Sequence, residues 1–194
     1  MKSRTYVMEA RADRVDDTRR RILDGARRLF AEQWYDDVTL NSLAQAAGVS
    51  HQTVLNHFGS KEGVLAELTR TIEDEVEAAT TGAPPSDTAT AVRLLLERYE
   101  EMGLGNARLV VQEHRVPALH EALERARTSH RAWVESVFAH CLAASGPSRR
   151  QKIAALLAAT EVMAWKSIRH DYGFSKADTL RAISALVQAA EELP

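Results

Sequence analysis

A chain of 194 residues, 45% of them apolar and 27% charged, is long enough for one large domain or two small ones and apolar enough for a packed core. Its formal net charge of −2 does not point to nucleic acid: residues 1–62 hold ten Lys or Arg against nine Asp or Glu, a balance of +1, which leaves −3 for the rest. Any case for DNA must therefore rest on a motif and not on bulk charge. The single cysteine, Cys141, excludes an intramolecular disulfide and fits a reducing cytoplasm. The opening MKSRTYVMEARAD has no apolar run like a signal peptide, and no stretch approaches the roughly 20 apolar residues of a membrane span.

Residues 1–15 are polar and basic, with Lys2, Arg4, Arg11 and Arg14. They read as a flexible arm, either a plain tail or a segment that lies along a DNA groove. The first helix is expected over Asp17–Gln33, burying Ile22, Ala26, Leu29 and Phe30. Arg19, Arg20 and Arg21 open it, against the usual preference for acids at a helix N-terminus. A nearby phosphate would offset that cost; a solvated face paired with Asp16 and Asp17 is the plainer alternative. Gly25 costs this helix up to about 1 kcal/mol relative to Ala.

The stretch TLNSLAQAAGVSHQTVLNHFGSKE, residues 39–62, carries the most information. Thr39 is a good N-cap, and Leu40, Leu43, Ala44 and Ala47 recur at helical spacing. Gly48 suits the left-handed residue that ends a helix. Ser50 caps the next helix, with Val49 and Val54 placed as a hydrophobic staple. The turn between the two helices is about three residues long, the geometry of a helix-turn-helix. In the second helix Val54 and Phe58 face inward, while His51, Gln52, Leu55 and Asn56 share the opposite side. Amides and an imidazole on an outward face suit the base edges of a major groove. Gln52 and Asn56 are the candidates for base contacts, and His51 and Thr53 for bases or phosphates. Leu55 suits a thymine methyl group, and Ser50 and Lys61 suit phosphate.

This stretch resembles the DNA-binding domain of the TetR family of bacterial transcriptional regulators. The residues that carry the resemblance are the Thr39 cap, LAQAAGVS, Thr53 and Val54, His57 and Phe58, and SKE at 60–62, with ILDGARRLFAE at 22–32 upstream. The resemblance implies that Thr39 and His57 join the DNA-facing set. Two departures stand out. The family usually has an aromatic residue where Leu55 stands, so a phenolic phosphate contact is lost, and it often has Gly where Trp34 stands. The implied architecture is all-α: a helix-turn-helix domain over 16–62, then a helical effector-binding and dimerisation domain over 63–194, with a helix at 61–79 as linker.

That linker helix carries Val64, Leu65, Leu68, Ile72 and Val76 on one face. TTGAPPSD at 80–87 is the clearest break in the chain. Helices follow over 88–103, capped by Asp87, and over 106–114. The next starts at Pro117 and is expected to run to about Ala144, before Ser145, Gly146 and Pro147. A helix over 148–171 has two apolar sides: Ile153, Leu156, Leu157, Thr160 and Met163 on one, and Ala154, Ala158, Glu161, Trp165 and Ile168 on the other. A surface helix needs one apolar stripe, so this one is expected to be covered on both sides. The last helix, capped by Ser175 with Asp178 as capping-box partner, runs to about Glu192 and carries Leu180, Ile183, Leu186 and Val187. Two such helices from each of two chains would form a four-helix bundle. Leu156, Ile168, Leu180, Ile183, Leu186 and Val187 are therefore the expected dimer contacts, and TetR-like proteins dimerise in this way.

The seven histidines suggest no metal or catalytic centre. His114 and His120 are separated by Pro117, and Cys141 beside His140 is expected to point away from it, because neighbours on a helix do not face each other. No Gly-rich phosphate loop or nucleophile elbow occurs, so neither an enzyme nor a cofactor is expected. TetR-like regulators mostly repress as dimers on a palindromic DNA operator and are released by a small molecule. Tyr99, His114, Trp133, Glu161 and Trp165, with Arg93, are the candidate effector contacts, and they suit a mainly apolar ligand with one or two polar groups. The rival reading is a DNA-binding module of the same fold without a small ligand. A true pocket should hold polar groups left unpaired.

Overall fold

The computed structural model describes residues 3–80, 87–142 and 146–193, the side chains of 3–14 and 75–80 excepted. The expected break at 80–87 and the Ser145 stop thus lie largely outside the described residues, as do the side chains of the basic arm. Helices follow one another as α1 (Ser3–Glu32), α2 (Leu40–Ala47), α3 (His51–Phe58), α4 (Lys61–Thr80), α5 (Thr88–Met102), α6 (Leu104–Gln112), α7 (Pro117–Val137), α8 (Pro147–Thr160), α9 (Val162–Lys166) and α10 (Lys176–Glu191). No strand occurs among the described residues. Two compact units result: one comprises the residues up to Glu73 with Val111–Ala122, the other Asp74–Val110 and the residues from Leu123 on.

Local chemistry sets most helix ends in the N-terminal unit. Thr39 Oγ1 accepts from Ser42 N at 3.0 Å, and Ser42 Oγ accepts from Thr39 N at 2.9 Å, a reciprocal cap. Gly48, at φ 64°, sends its N–H back to the carbonyls of Ala44 and Gln45. Ser50 Oγ accepts from Thr53 N at 3.1 Å and starts α3. Gly25 is not merely a helix-weakening residue. A Cβ there would lie 3.1 Å from the Ala46 Cβ, so its absence lets α1 and α2 approach closely. Ile22, Ala26, Phe30, Leu43, Val54, Val64 and Leu65 are buried.

The end of α1 is built without the glycine that the family often places at 34. Trp34 adopts an extended backbone (φ −70°, ψ 151°), and a 3-10 turn, Tyr35–Asp37, carries the chain to α2. Tyr35 stacks on Phe30 with ring centroids 5.9 Å apart. Its hydroxyl donates to Glu62 at 2.7 Å, and its N–H donates to Gln112 Oε1 at 2.7 Å. Arg115 pairs with Asp36 at 2.8 Å. The segment around the α6–α7 corner is thereby part of the N-terminal unit.

The C-terminal unit is organised around a core that includes Val92, Leu96, Tyr99, Val134, Phe138, Ile153, Leu156, Trp165, Ile183 and Val187. Three expectations are corrected here. α1 starts at Ser3, well ahead of Asp17. α7 ends at Val137, short of Ala144, because the chain tightens into turns: Cys141 N bonds Phe138 O and Leu142 N bonds Ala139 O. The single helix expected over 148–171 is interrupted. Glu161 is extended (φ −75°, ψ 148°), and a π-helical turn, Ser167–Asp171, follows α9. Ser175 does cap α10 through Asp178 N at 3.1 Å. The Asp178 carboxylate, however, takes the Ser175 hydroxyl and Arg181.

Candidate nucleic-acid interface and effector region

α3 presents a polar outward face, as its sequence spacing implies. Ser50, His51, Gln52 and Asn56 are exposed, Thr53, Leu55 and His57 are half-buried, and Val54 is fully buried. Gln52 Nε2 donates to Asn56 Oδ1 at 2.9 Å. The two amides are thus held side by side one turn apart, by a bond that uses one Gln52 N–H and the Asn56 oxygen and does not engage the Gln52 carbonyl oxygen or the Asn56 amino group. An acceptor next to a donor is the pattern that an adenine edge complements. Ser50 Oγ lies 2.8 Å from Thr53 Oγ1, so both hydroxyls sit at the N-terminus of α3, where backbone N–H groups favour an anion. An open groove of about 430 Å³ runs beside this helix, lined by Thr39, His51, Ser60 and Lys61 among others.

Lys61 is more constrained than its sequence position implies. Its ammonium donates to the Tyr35 carbonyl at 2.8 Å and stands 3.9 Å from the Tyr35 ring centroid. One N–H is therefore used inside the protein, and two remain for a phosphate. Arg19 has a structural role that neither reading of the arginine cluster foresaw. It pairs with Glu67 at 2.6 Å and lies 4.7 Å from the Phe58 ring centroid. Arg20 pairs with Asp17 at 2.6 Å, which matches the solvated-face reading.

In the C-terminal unit the interrupted helix creates a polar hub. A continuous helix would join Ala164 N to Thr160 O, but Ala164 N bonds Glu161 O instead. The freed Thr160 carbonyl accepts from the Tyr99 hydroxyl at 2.9 Å. Thr160 Oγ1 donates its one hydrogen to Leu156 O at 2.7 Å. The 2.8 Å contact from Thr160 Oγ1 to His130 Nε2 must then be an N–H donation, which places the imidazole proton on Nε2. Burial holds the His130 imidazole below its usual pKa and pushes the Tyr99 phenol well above its own.

The candidate effector residues separate. Tyr99 and Trp165 touch, with ring centroids 5.8 Å apart, and Trp165 Nε1 donates to Glu100 at 3.0 Å. Trp133 is half-buried beside His130 and Phe138. Glu161 is exposed, and Arg93 pairs with Glu97 at 3.0 Å on the surface. His114 is exposed and belongs to the N-terminal unit. The sequence reading missed Arg98: its Nε is buried and has no hydrogen-bond partner among the described residues. The neighbouring Tyr99 drew attention to itself as an aromatic, whereas a lone Arg on an amphipathic helix reads as surface.

The dimer assignment also needs correction. Leu156, Ile183 and Val187 are at most 2% exposed within a single chain, so they hold the protomer together and are not available to a partner. Ile168 and Leu180 are partly buried against the same core. Leu186 is 50% exposed, and Ala154, Ala158, Ala185 and Ala189 are also exposed on α8 and α10.

Residues 22–68 match the family model described as bacterial regulatory proteins, tetR family. The N-terminal domain is a TetR-family domain. Its curated relatives include the transcriptional repressor AcnR of Corynebacterium glutamicum, 41% identical over 61 residues, or 31% of this chain and 32% of that protein. They also include the repressor KstR2 of Rhodococcus jostii, 28% identical over 54% of this chain and 56% of that protein. The chain thus matches only about a third of the length of AcnR, and 31% and 37% of the length of two further repressors that it resembles. The TetR-family fold extends further than the sequence match. A TetR-family regulator from Rhodococcus sp. superposes with a TM-score of 0.74 at 17% identity, covering 90% of this chain and 99% of that one. NalD of Pseudomonas aeruginosa, the secondary repressor of the MexAB-OprM multidrug efflux pump, gives 0.63 at 21% identity, over 91% and 97%.

Proposed function

We propose that the protein is a transcriptional repressor that binds a palindromic DNA operator as a homodimer and is released by a small-molecule effector. The observation that carries the DNA reading is the outward face of α3, where a linked Gln52–Asn56 pair stands between capping hydroxyls and Lys61. Gln52 and Asn56 read base edges. His51 and Thr53 share bases or phosphates, Leu55 meets a thymine methyl group, and Thr39, Ser50, His57 and Lys61 hold the backbone. The dyad of a homodimer sets two such helices one helical turn of DNA apart. The kinship with repressors such as AcnR supports the sign of the regulation. The cytoplasm is the compartment that this activity requires.

The effector reading is supported by Arg98 on α5, whose buried Nε has no acceptor among the described residues, and by the Tyr99–Trp165 aromatic pair. A mainly apolar molecule with one hydrogen-bond acceptor fits that chemistry. It must bind the DNA-incompetent arrangement more tightly than the competent one, because equal affinity for both shifts nothing. The polar atoms of Tyr99 and Trp165 are already paired inside the chain, and this observation favours the second reading, a DNA-binding module with no small ligand.

Selection of binding sites from random duplexes tests the proposal. The expected outcome is a palindromic consensus. Gln52→Ala should relax the preference at one position per half-site, at a cost of about 1–3 kcal/mol there. Lys61→Ala should weaken all sites alike and reduce the salt dependence by roughly one counterion per head. If both variants weakened every sequence equally, the base contacts assigned to α3 would be wrong.

A further inference from the structure

Where α7 ends, the rule that adjacent residues on a helix diverge no longer applies. Residues 138–141 form tight turns, and His140 and Cys141 come onto the same side of the chain. Glu191, the last residue of α10, meets them there. A His140 ring nitrogen, Cys141 Sγ and a Glu191 carboxylate oxygen all lie within 4.8 Å of one another. We propose that His140, Cys141 and Glu191 form a binding site for a zinc-class divalent ion, separate from the DNA-facing helix and from the Thr160 hub.

Geometry and donor chemistry carry this assignment. His140 Nε2 stands 3.1 Å from Glu191 Oε1. Two N or O donors on a tetrahedral zinc, each about 2.0–2.2 Å from the ion, lie roughly 3.4 Å apart, so a few tenths of an ångström of opening admits the ion between them. A sulfur ligand at about 2.3 Å completes three corners. His140 is 59% exposed, which leaves the fourth corner to water and gives the ion a path from solvent. The Thr88 hydroxyl donates to the same Glu191 oxygen at 3.2 Å and orients the carboxylate, as outer partners of metal ligands do. Glu191 also sits at the C-terminus of α10, where the aligned peptide dipoles favour a cation.

The same surroundings select the ion. Lys152 donates to the Glu191 carbonyl at 3.1 Å, and its charge competes with any cation for the neighbourhood. A hard ion such as Mg²⁺ or Ca²⁺ depends on several oxygen ligands and finds one carboxylate here. An ion that bonds strongly to thiolate and imidazole overcomes the competition. Binding removes one proton, the Cys141 S–H proton, which passes to solvent. The thiolate, the carboxylate and the divalent ion then sum to zero charge.

Cobalt substitution provides the test on the full-length protein, with zinc as competitor. Co²⁺ titration should give tetrahedral d–d bands and a near-ultraviolet thiolate-to-cobalt charge-transfer band at one ion per chain. Zn²⁺ should then bleach both. Cys141→Ser should remove the charge-transfer band. His140→Gln, at an exposed position whose substitution leaves the core intact, should weaken Zn²⁺ by at least about tenfold, the loss that follows even removal of an outer partner of a ligand. Absence of the charge-transfer band in the unaltered protein would overturn the site. So would Zn²⁺ binding by His140→Gln with undiminished affinity, which would place the ion on other side chains. Neither readout involves DNA, so failure here leaves the repressor reading standing, and the reverse also holds.

Discussion

At the scale of single residues, the N-terminal unit depends on side chains whose partners are distant in sequence. Arg19 on α1 reaches the Glu67 carboxylate, the Phe58 ring and, at 3.4 Å, the His57 carbonyl. The guanidinium joins α1 to the end of α3 and to α4. Arg19→Ala removes a partly exposed ion pair and a cation–π contact, each modest alone. Together they should cost about 1–2 kcal/mol in urea unfolding. Arg21→Ala, a few residues away and exposed, is the control and should cost almost nothing. Three successive arginines look alike in a sequence, and nothing local to them distinguishes the one that meets Glu67. The caps show the opposite case. Thr39, Ser50, Asp87 and Ser175 were all legible, because a cap is satisfied by a residue three positions away.

At the scale of elements, the break between α8 and α9 was illegible for the same reason as Arg19. No Pro or Gly stands at 160–162. The interruption persists because the Tyr99 hydroxyl supplies the bond that the Thr160 carbonyl has lost, and His130 braces the Thr160 side chain. His130 makes this element sensitive to pH. Its folded-state pKa is depressed by burial, while the unfolded chain protonates near the ordinary value of about 6.5. Below that pH the unfolded state binds more protons than the folded one. Stability should therefore fall as the pH drops below about 6.5 and level off once the folded imidazole is also protonated. Urea midpoints measured at about pH 7.5 and pH 5.5 should draw apart, and His130→Gln should narrow the gap. An unchanged gap in that variant would assign the pH dependence to other groups.

At the scale of the whole molecule, hydrophobic periodicity found the apolar faces of α8 and α10 but could not say what covers them. Leu156, Ile183 and Val187 obey the helical spacing expected of a dimer seam, yet the protomer buries them itself. What remains for a second copy is the next strip around each helix, with Leu186 and a row of exposed alanines at Ala154, Ala158, Ala185 and Ala189. Small residues let helices of two chains approach closely, as in a four-helix bundle. Leu186→Asp places a charge in that strip without touching the core. Light scattering at micromolar concentration should show a monomer for the variant and a dimer for the unaltered protein, and the monomer should bind a palindrome poorly. A monomeric unaltered protein would remove the dyad from the proposal.

The hydrogen bond from the Tyr35 N–H to Gln112 has a consequence for how this chain can be recombined. Heads of regulators are commonly imagined as cassettes, cut at a linker and exchanged. Here the piece ending near Glu73 would leave a buried backbone donor stranded, because its acceptor arrives from Val111–Ala122. Arg115, which pairs with Asp36, would go missing with it. A graft of this N-terminal unit onto another body must therefore carry two stretches of sequence, the second taken from the corner between α6 and α7. The donor at 35 is a backbone N–H that any residue but proline supplies, so the burden falls on position 112: drift there removes the acceptor and strands the donor whatever stands at 35.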